Sequence, residues 1–177
     1  MTRQVPLITI IGKSRAGKTT LMENLITELK RRGYRVGTIK HHSHPGFEID
    51  QPGKDSWRHA QAGSDHVVIA SPDRIASYRS LEHELALDDI ACGMTDVDII
   101  LTEGYLQAGK PTIQVIREAS GLELIGPPEQ CFAIATDAQL AVETPCYGLN
   151  DFMGLSNLLE RLFLSETSAR SPNLAQT

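Results

Sequence analysis

The segment GKSRAGKT at residues 12–19 constrains the fold more than any other part of the sequence. It matches the phosphate-binding P-loop pattern G-x-x-x-x-G-K-S/T. The apolar run at 5–11 is rich in β-branched residues and predicts a buried parallel strand. After the loop, apolar residues at helical spacing predict a helix that ends at Gly33. A strand, a tight loop and a helix in this order aim backbone N–H groups at an anion, so the sequence predicts binding of a nucleoside triphosphate.

Two side chains of the P-loop have expected roles that follow from their chemistry. The Lys18 ammonium is expected to reach the β- and γ-phosphates, and the Thr19 hydroxyl is expected to bind Mg²⁺. The residues of this segment that we predict to contact the nucleotide are Gly12, Lys13, Ser14, Arg15, Ala16, Gly17, Lys18, Thr19 and Thr20.

Composition and charge exclude several other classes of protein. The 177 residues are 41% hydrophobic and 22% charged, as is usual for a soluble globular domain. The net charge of −5 argues against nucleic acid as a main ligand, because phosphate backbones call for a basic face. Three cysteines without a C-x-x-C pair favour neither a disulfide framework nor a zinc knuckle. No apolar run has the length of a membrane helix and the N-terminus lacks a signal-peptide pattern, so we expect a cytoplasmic protein without a membrane partner.

Strands and helices alternate along the chain, which predicts a three-layer α/β fold of the P-loop NTPase type with a mainly parallel central sheet. We expect one domain over 1–164 and a disordered tail at 165–177, because the tail has almost no large apolar side chains. Beyond the P-loop unit, the patterns predict strands at 34–40, 66–71, 74–78, 97–102, 112–117 and 131–136, and helices at 52–62, 81–92 and 151–163.

Ligands of such folds gather at the carboxyl ends of the parallel strands, and the acid of the 97–103 segment must be chosen on that basis. Asp98 and Glu103 are about 16 Å apart along a strand, so they cannot share one magnesium ion. Asp98 lies at the far end and is expected to be a solvated end residue. Glu103 lies beside the P-loop and is predicted to act on the metal or on its bound water, the alternative being a simple strand terminator.

Two further acids are candidates with open alternatives. Asp50 precedes a Pro-Gly helix start and is predicted either to hold Mg²⁺ from a loop over the γ-phosphate or to be a solvated helix-entry residue. Asp137 follows the last predicted strand and either accepts from the N1–H and N2–H₂ groups of guanine or forms a turn.

A histidine cluster follows the second strand, with His41, His42 and His44 in close succession. Three interpretations remain open: ligands of a transition metal, hydrogen-bond donors to an anion or partner, and ordinary loop residues. Lys54 and Lys40 would add positive charge on the same side. We include His41, His42 and Lys54 among the predicted nucleotide-binding residues.

Several segments together resemble the MobB family, the molybdopterin-guanine dinucleotide biosynthesis adapter proteins. The run Asp50-x-Pro52-Gly53-Lys54-Asp55-Ser56 and the Glu103-Gly104 pair are more specific than the P-loop alone. The resemblance covers about 5–163, and the matching segments are IGKSRAGKTTLMENLI at 11–26, VGTIKHHSH at 36–44, DQPGKDSWRHAQAGSDHVVIAS at 50–71, DIILTEGY at 98–105 and FAIATD at 132–137.

The resemblance implies a GTP-binding protein with weak GTPase activity, usually a homodimer. It also implies a partner, the guanylyltransferase that joins GMP to molybdopterin, and makes molybdopterin itself a candidate ligand. Lys18 and Glu103 are then the expected catalytic residues, and Thr19, Asp50 and Glu103 the expected metal ligands. The preference for guanine rests on the resemblance alone, because the chain contains no Asn-Lys-x-Asp signature.

One departure and two alternatives accompany this prediction. Arg15 stands where the family commonly has glycine, and if the position requires a positive φ, arginine costs on the order of 1 kcal/mol. A metallochaperone GTPase of the nickel-insertion type is the alternative function, with the His41–His44 cluster as its metal site. A small-molecule kinase is a third, but no arginine-rich lid segment is evident.

Overall fold

The computed structural model describes residues 4–42, 44 and 46–165, and these form eight strands and four α-helices. A π-helical segment, Glu160–Leu164, continues the last helix, and short 3-10 turns occur at Glu118–Ser120 and Pro128–Gln130. In chain order the elements are β1 (Leu7–Gly12), α1 (Lys18–Arg31), β2 (Val36–Lys40), α2 (Asp55–Gln61), β3 (His66–Ala70), β4 (Ile75–Arg79), α3 (Leu87–Cys92), β5 (Ile99–Glu103), β6 (Thr112–Ile116), β7 (Cys131–Thr136), β8 (Cys146–Gly148) and α4 (Phe152–Leu159).

Six of the strands form one sheet in the order β2-β5-β1-β6-β7-β8, and every pairing between them is parallel. The predicted α/β class with a mainly parallel sheet is therefore confirmed. In register, Ile10 of β1 lies beside Glu103 of β5, and Gly12 lies beside Val115 of β6. The P-loop, Glu103 and the residues after β6 consequently leave the sheet at one edge, which we call the carboxyl edge.

Both faces of the sheet carry apolar side chains, and one face supports the helix that follows the P-loop. Ile8 and Ile10 of β1 pack in one cluster with Leu25 of α1 and Leu155 of α4, and all four are fully buried. On the other face, Leu7 and Ile100 pack with Leu87 of α3. The strands are buried on both faces because helices or loops cover each side, as parallel sheets require.

The chain divides into two compact units, 1–41 with 86–177, and 42–85. In the second unit β3 and β4 form an antiparallel hairpin in which Val67 lies opposite Tyr78, and α2 packs against β3. The strands predicted at 66–71 and 74–78 are confirmed, and they pair as this hairpin. The assignment of 1–164 to one domain stays a prediction, and the predicted tail lies outside the described residues except for Ser165.

Two local predictions are wrong, one of secondary structure and one of a side-chain environment. A helix was expected over 81–92, but only Leu87–Cys92 is helical, because Ala86 is extended and Asp88 and Asp89 favour a helix N-terminus at Leu87. Asp98 was expected to be solvated at the start of β5. Instead its side chain is 12% exposed and accepts hydrogen bonds from the backbone N–H and the guanidinium of Arg35, so it fixes the amino end of the strand.

Candidate nucleotide-binding site

The backbone of the P-loop takes a path that needs glycine at two places. A Cβ on Gly12 would lie 2.5 Å from the carbonyl oxygen of Val115, so only glycine allows β1 and β6 to approach this closely. Gly17 has φ +103 and directly precedes α1, with no side chain capping the helix. The N-terminal N–H groups of α1 therefore face the loop, which is the arrangement that binds phosphate in P-loop proteins.

Arg15 lies at a left-handed position, with φ +61. The condition stated for this position is therefore met, and arginine costs about 1 kcal/mol there relative to glycine. Neighbouring Ala16 is 1% exposed and anchors the loop in the core. Within the P-loop segment, the predicted contact residues that are exposed are Ser14, Arg15, Thr19 and Thr20.

Lys18 folds back over the loop that precedes it. Its Nζ donates hydrogen bonds to the carbonyl oxygens of Gly12, at 3.0 Å, and Lys13, at 2.9 Å. An ammonium group has three hydrogens, so one donor remains after these two bonds. The charge is thus held in a fixed position above the loop, where it can meet a phosphate.

Thr19 and Glu103 face each other at the carboxyl edge. The Thr19 Oγ1 atom is 3.4 Å from both carboxylate oxygens of Glu103, and the Lys40 Nζ is 3.7 Å from one of them. The Glu103 side chain is 16% exposed. This is the geometry expected for the predicted pair, and it depends on the register that places the end of β5 beside β1.

The oxygen atoms of this pair fit a magnesium ion. Mg²⁺ prefers oxygen ligands at about 2.0–2.1 Å, so adjacent ligands of an octahedral ion are about 3 Å apart. The separations between Thr19 and Glu103 are close to that value. Mg²⁺ in nucleotide sites is commonly held by one or two protein oxygens together with phosphates, and a hydroxyl with a single carboxylate meets that requirement.

The structure shows why glycine follows Glu103, which the sequence alone did not reveal. Gly104 has φ +95, and a Cβ there would lie 2.9 Å from the Cβ of His41. The His41 backbone N–H donates to the Glu103 carbonyl oxygen, and the His41 ring lies 4.7 Å from the ring of Tyr105. His41 is therefore packed against residues 103–105 at the carboxyl edge.

Asp50 belongs to the unit 42–85 and has its own hydrogen bonds. Its carboxylate accepts from the Tyr78 hydroxyl at 2.8 Å and from the Gln51 backbone N–H at 2.8 Å. Hydrogen bonding by Ser56 and Tyr78 lowers the pKa of Asp50 below its ordinary value, so it is charged at neutral pH. The role of Asp50 in metal binding stays a prediction.

The remaining predicted residues of this unit are at its surface. Lys54 precedes α2 and is exposed. His42 is exposed as well, and its Nδ1 lies 2.9 Å from the His44 carbonyl oxygen. Among the residues that the structure describes, no group of three or more His, Cys, Asp or Glu side chains could hold a metal ion. Nucleotide contacts by His42 and Lys54 stay predictions.

Asp137 follows β7 at the carboxyl edge and is exposed. One carboxylate oxygen accepts from the Glu118 backbone N–H at 2.8 Å and so caps the 3-10 turn after β6. This contact fixes the orientation of the side chain. Recognition of guanine by Asp137 stays a prediction.

Sequence reasoning missed two charged residues beside the P-loop. Arg117 follows β6, and its Nε donates to the Ala16 carbonyl oxygen at 3.4 Å. Glu123 forms an ion pair with Lys13. The predicted strand at 112–117 was the available signal, but its position next to β1 became known only with the strand order.

Comparison with known proteins agrees with this geometry. The family model described as molybdopterin guanine dinucleotide synthesis protein B, MobB, matches residues 7–137. The chain belongs to the MobB family. The match includes the P-loop, Glu103 and Asp137, so every predicted site residue lies within the matched range.

Relatives and solved structures of the family extend the similarity to nearly the whole chain. The chain is 36% identical to the molybdopterin-guanine dinucleotide biosynthesis adapter protein of Haemophilus influenzae, over 90% of each chain. It is 34% identical to the adapter protein of Escherichia coli, over 88% of this chain and 91% of the relative. A crystal structure of molybdopterin-guanine biosynthesis protein B matches with a TM-score of 0.69 and 28% identity, covering 88% of this chain and 99% of that one. Over the described part of the chain, no helix is long and apolar enough to cross a membrane.

Proposed function

We propose that this protein is a GTP-binding adapter of molybdopterin guanine dinucleotide biosynthesis, with slow GTPase activity. The observation that carries the proposal is the meeting of Lys18, Thr19 and Glu103 at one edge of the sheet in a chain of the MobB family. A P-loop with a purely structural role would not need a lysine above the loop together with a hydroxyl that faces a carboxylate.

Each of the three side chains has a proposed task. Lys18 and the N-terminal N–H groups of α1 bind the phosphates of GTP, and Thr19 with Glu103 holds Mg²⁺. Glu103 also orients water bound near the metal, which supports slow hydrolysis. Asp50 is a proposed further Mg²⁺ ligand, and His41, His42 and Lys54 are proposed to contact the phosphates or a partner.

The adapter role requires that the nucleotide changes affinity for a partner. The proposed partner is the guanylyltransferase that attaches GMP to molybdopterin, with molybdopterin as a candidate ligand and a homodimer as the assembly. The carboxyl edge supports this because His41 packs beside Glu103 and Gly104, and the chain passes from His41 directly into the unit 42–85. His41 therefore connects residues beside Glu103 to the unit 42–85 along the chain itself.

The test is the affinity of this chain for a molybdenum cofactor guanylyltransferase, measured without nucleotide, with GTP and Mg²⁺, and with GDP and Mg²⁺. We expect GTP to change the affinity, and we expect the Lys18→Ala variant to bind equally in all three conditions. Absence of binding in every condition would contradict the adapter role. Stoichiometric nickel binding that His41→Ala and His42→Ala remove would instead support a metallochaperone.

A further inference from the structure

Arg117 lies against the P-loop because of the strand order. β6 is the direct neighbour of β1, and Val115 is in register with Gly12, so Arg117 leaves the sheet next to the loop. Its Nε donates to the Ala16 carbonyl oxygen at 3.4 Å, and its Nη2 lies 3.5 Å from the place that a Cβ on Gly17 would occupy. The guanidinium therefore reaches the last glycine before α1.

The guanidinium of Arg117 has no carboxylate partner among the described residues. Its single hydrogen bond there is the long contact to Ala16, which leaves the Nη hydrogens without a protein acceptor in the described chain. Arg35 shows the contrast, since its guanidinium is paired with Asp98 at 2.9 Å. Arg117 is exposed, so a ligand can reach it, and its guanidinium lies against the loop.

The neighbouring cation of the loop is already neutralised. Lys13 is paired with Glu123, and both residues line a small cleft next to the loop together with Gly12, Arg117 and Gly121. Lys18 and Arg117 both lie against the loop, and neither has a carboxylate partner among the described residues. They approach it from opposite ends of the Gly12–Lys18 segment.

We propose that Arg117 is a nucleotide-positioning residue, which binds a phosphate oxygen of the nucleotide held by the P-loop. This inference rests on the proposed GTP binding. A phosphate is the fitting acceptor because a guanidinium offers parallel N–H donors that match two phosphate oxygens, and because Gly17 marks the N-terminus of α1, where phosphate is expected. The contact with Ala16 holds the side chain in place, so little conformational entropy is lost on binding.

The experiment measures the affinity for GTP with Mg²⁺ by calorimetry, at low and at high KCl, for the wild-type protein and for Arg117→Ala, Arg117→Lys and Arg117→Gln. We expect Arg117→Ala and Arg117→Gln to lose about tenfold or more in affinity, and Arg117→Lys to recover part of the loss because it keeps the charge. The affinity of the uncharged variants should depend less steeply on salt, since a screened charge contact has been removed. Arg161→Ala is the matched control, an exposed arginine of the C-terminal helical segment, and should bind like the wild type.

The outcomes separate this inference from the proposed function. If the wild-type protein does not bind GTP, the proposed function fails and this inference with it. If the wild type binds, Lys18→Ala does not, and Arg117→Ala binds like the wild type, only the role of Arg117 is overturned. A purely structural role is also an overturning result: Arg117→Ala and Arg117→Lys would then lose affinity equally, with an unchanged salt dependence and a lowered melting temperature.

Discussion

The parallel sheet and the hairpin of the unit 42–85 are built from similar residues but differ in burial. In the sheet, β-branched strand residues such as Ile8 and Ile100 are fully buried. In the hairpin, Val67 is buried, whereas Ile69 is 45% and Ile75 is 76% exposed. The same strand signature thus gives a core in one region and a surface in the other, because burial is decided by the layers that cover each face.

This difference in burial assigns stability to the sheet, whereas the proposed response to a partner belongs to the unit 42–85. The sheet holds Gly12, Lys18 and Glu103 in fixed relation because its strands are covered on both faces. The unit 42–85 holds Asp50 through hydrogen bonds from its own residues and has little buried apolar surface. Regions with few buried apolar contacts open and move at lower free-energy cost, which suits a segment proposed to respond to a partner.

The largest expected effect tests the burial contrast directly. Leu25→Ala removes a fully buried side chain between α1 and the sheet and should lower the free energy of unfolding by about 2–5 kcal/mol. Ile75→Ala in the hairpin is the matched control and should change it by about 0.5 kcal/mol or less. Urea unfolding of both variants provides the measurement. Equal losses would show that the hairpin is as well packed as the sheet.

The next effect concerns binding at the carboxyl edge. Lys18→Ala removes an ammonium that bonds to two loop carbonyls and is proposed to meet the phosphates. We expect GTP affinity to fall about 100-fold or more while the melting temperature changes little, since the hydrogen bonds of the side chain go to the P-loop and not to another element. Calorimetry and thermal unfolding of the same preparation test this. Unchanged affinity in a folded variant would remove Lys18 from the site.

Glu103→Gln should affect hydrolysis more than binding. The carboxylate faces Thr19 and is proposed to hold the metal and orient water, a task that matters more in the transition state than in the ground state. We expect GTP affinity to change by about threefold or less and the hydrolysis rate to fall about tenfold or more. Asp50→Asn, in the unit 42–85, is compared in the same measurements of affinity and hydrolysis rate. A wild-type rate for Glu103→Gln would make the residue structural.

The sequence was sufficient to predict the parts of the site that adjoin a strand. The P-loop and Glu103 each follow a continuous apolar run, so the carboxyl-edge rule placed them correctly. Arg117 also follows such a run, at the end of β6, yet its contact with the P-loop depends on β6 being the neighbour of β1, and strand order is a long-range property. The short strand β8 was missed because its three residues give no periodicity.

Predictions were weakest for contacts between side chains that are distant in sequence, because no local repeating pattern of residues indicates them. The charge of Asp98 suggested solvent, but Arg35 supplies a partner from the start of a different strand. The role of Gly104 was recognised from a motif, although its physical reason is the approach of His41 from β2. Such contacts join distant segments and leave no local trace in the chain.

The smallest expected effect is a pH dependence that distinguishes the carboxylates of the two regions. Glu28 of α1 is 4% exposed and accepts hydrogen bonds from the guanidinium groups of Arg31 and Arg32 at 2.7 Å, and Arg32 also bonds to Asn157 of α4. The guanidinium of Arg31, then that of Arg32, lowers the pKa of Glu28 from 4.5 to about 2. Because the pKa is lower in the folded state, the carboxylate stabilises the fold fully above pH 4.5, and this contribution is lost as the pH falls toward about 2.

Urea unfolding over this range should therefore show a flatter pH dependence for Glu28→Gln than for the wild type. Asp50→Asn should alter the dependence in the same direction, since the pKa of Asp50 is also lowered, but its hydrogen bonds join residues of the unit 42–85 and leave the packing of α1 against α4 intact. A Glu28→Gln variant with the wild-type profile would show that the cluster does not stabilise the junction of these two helices.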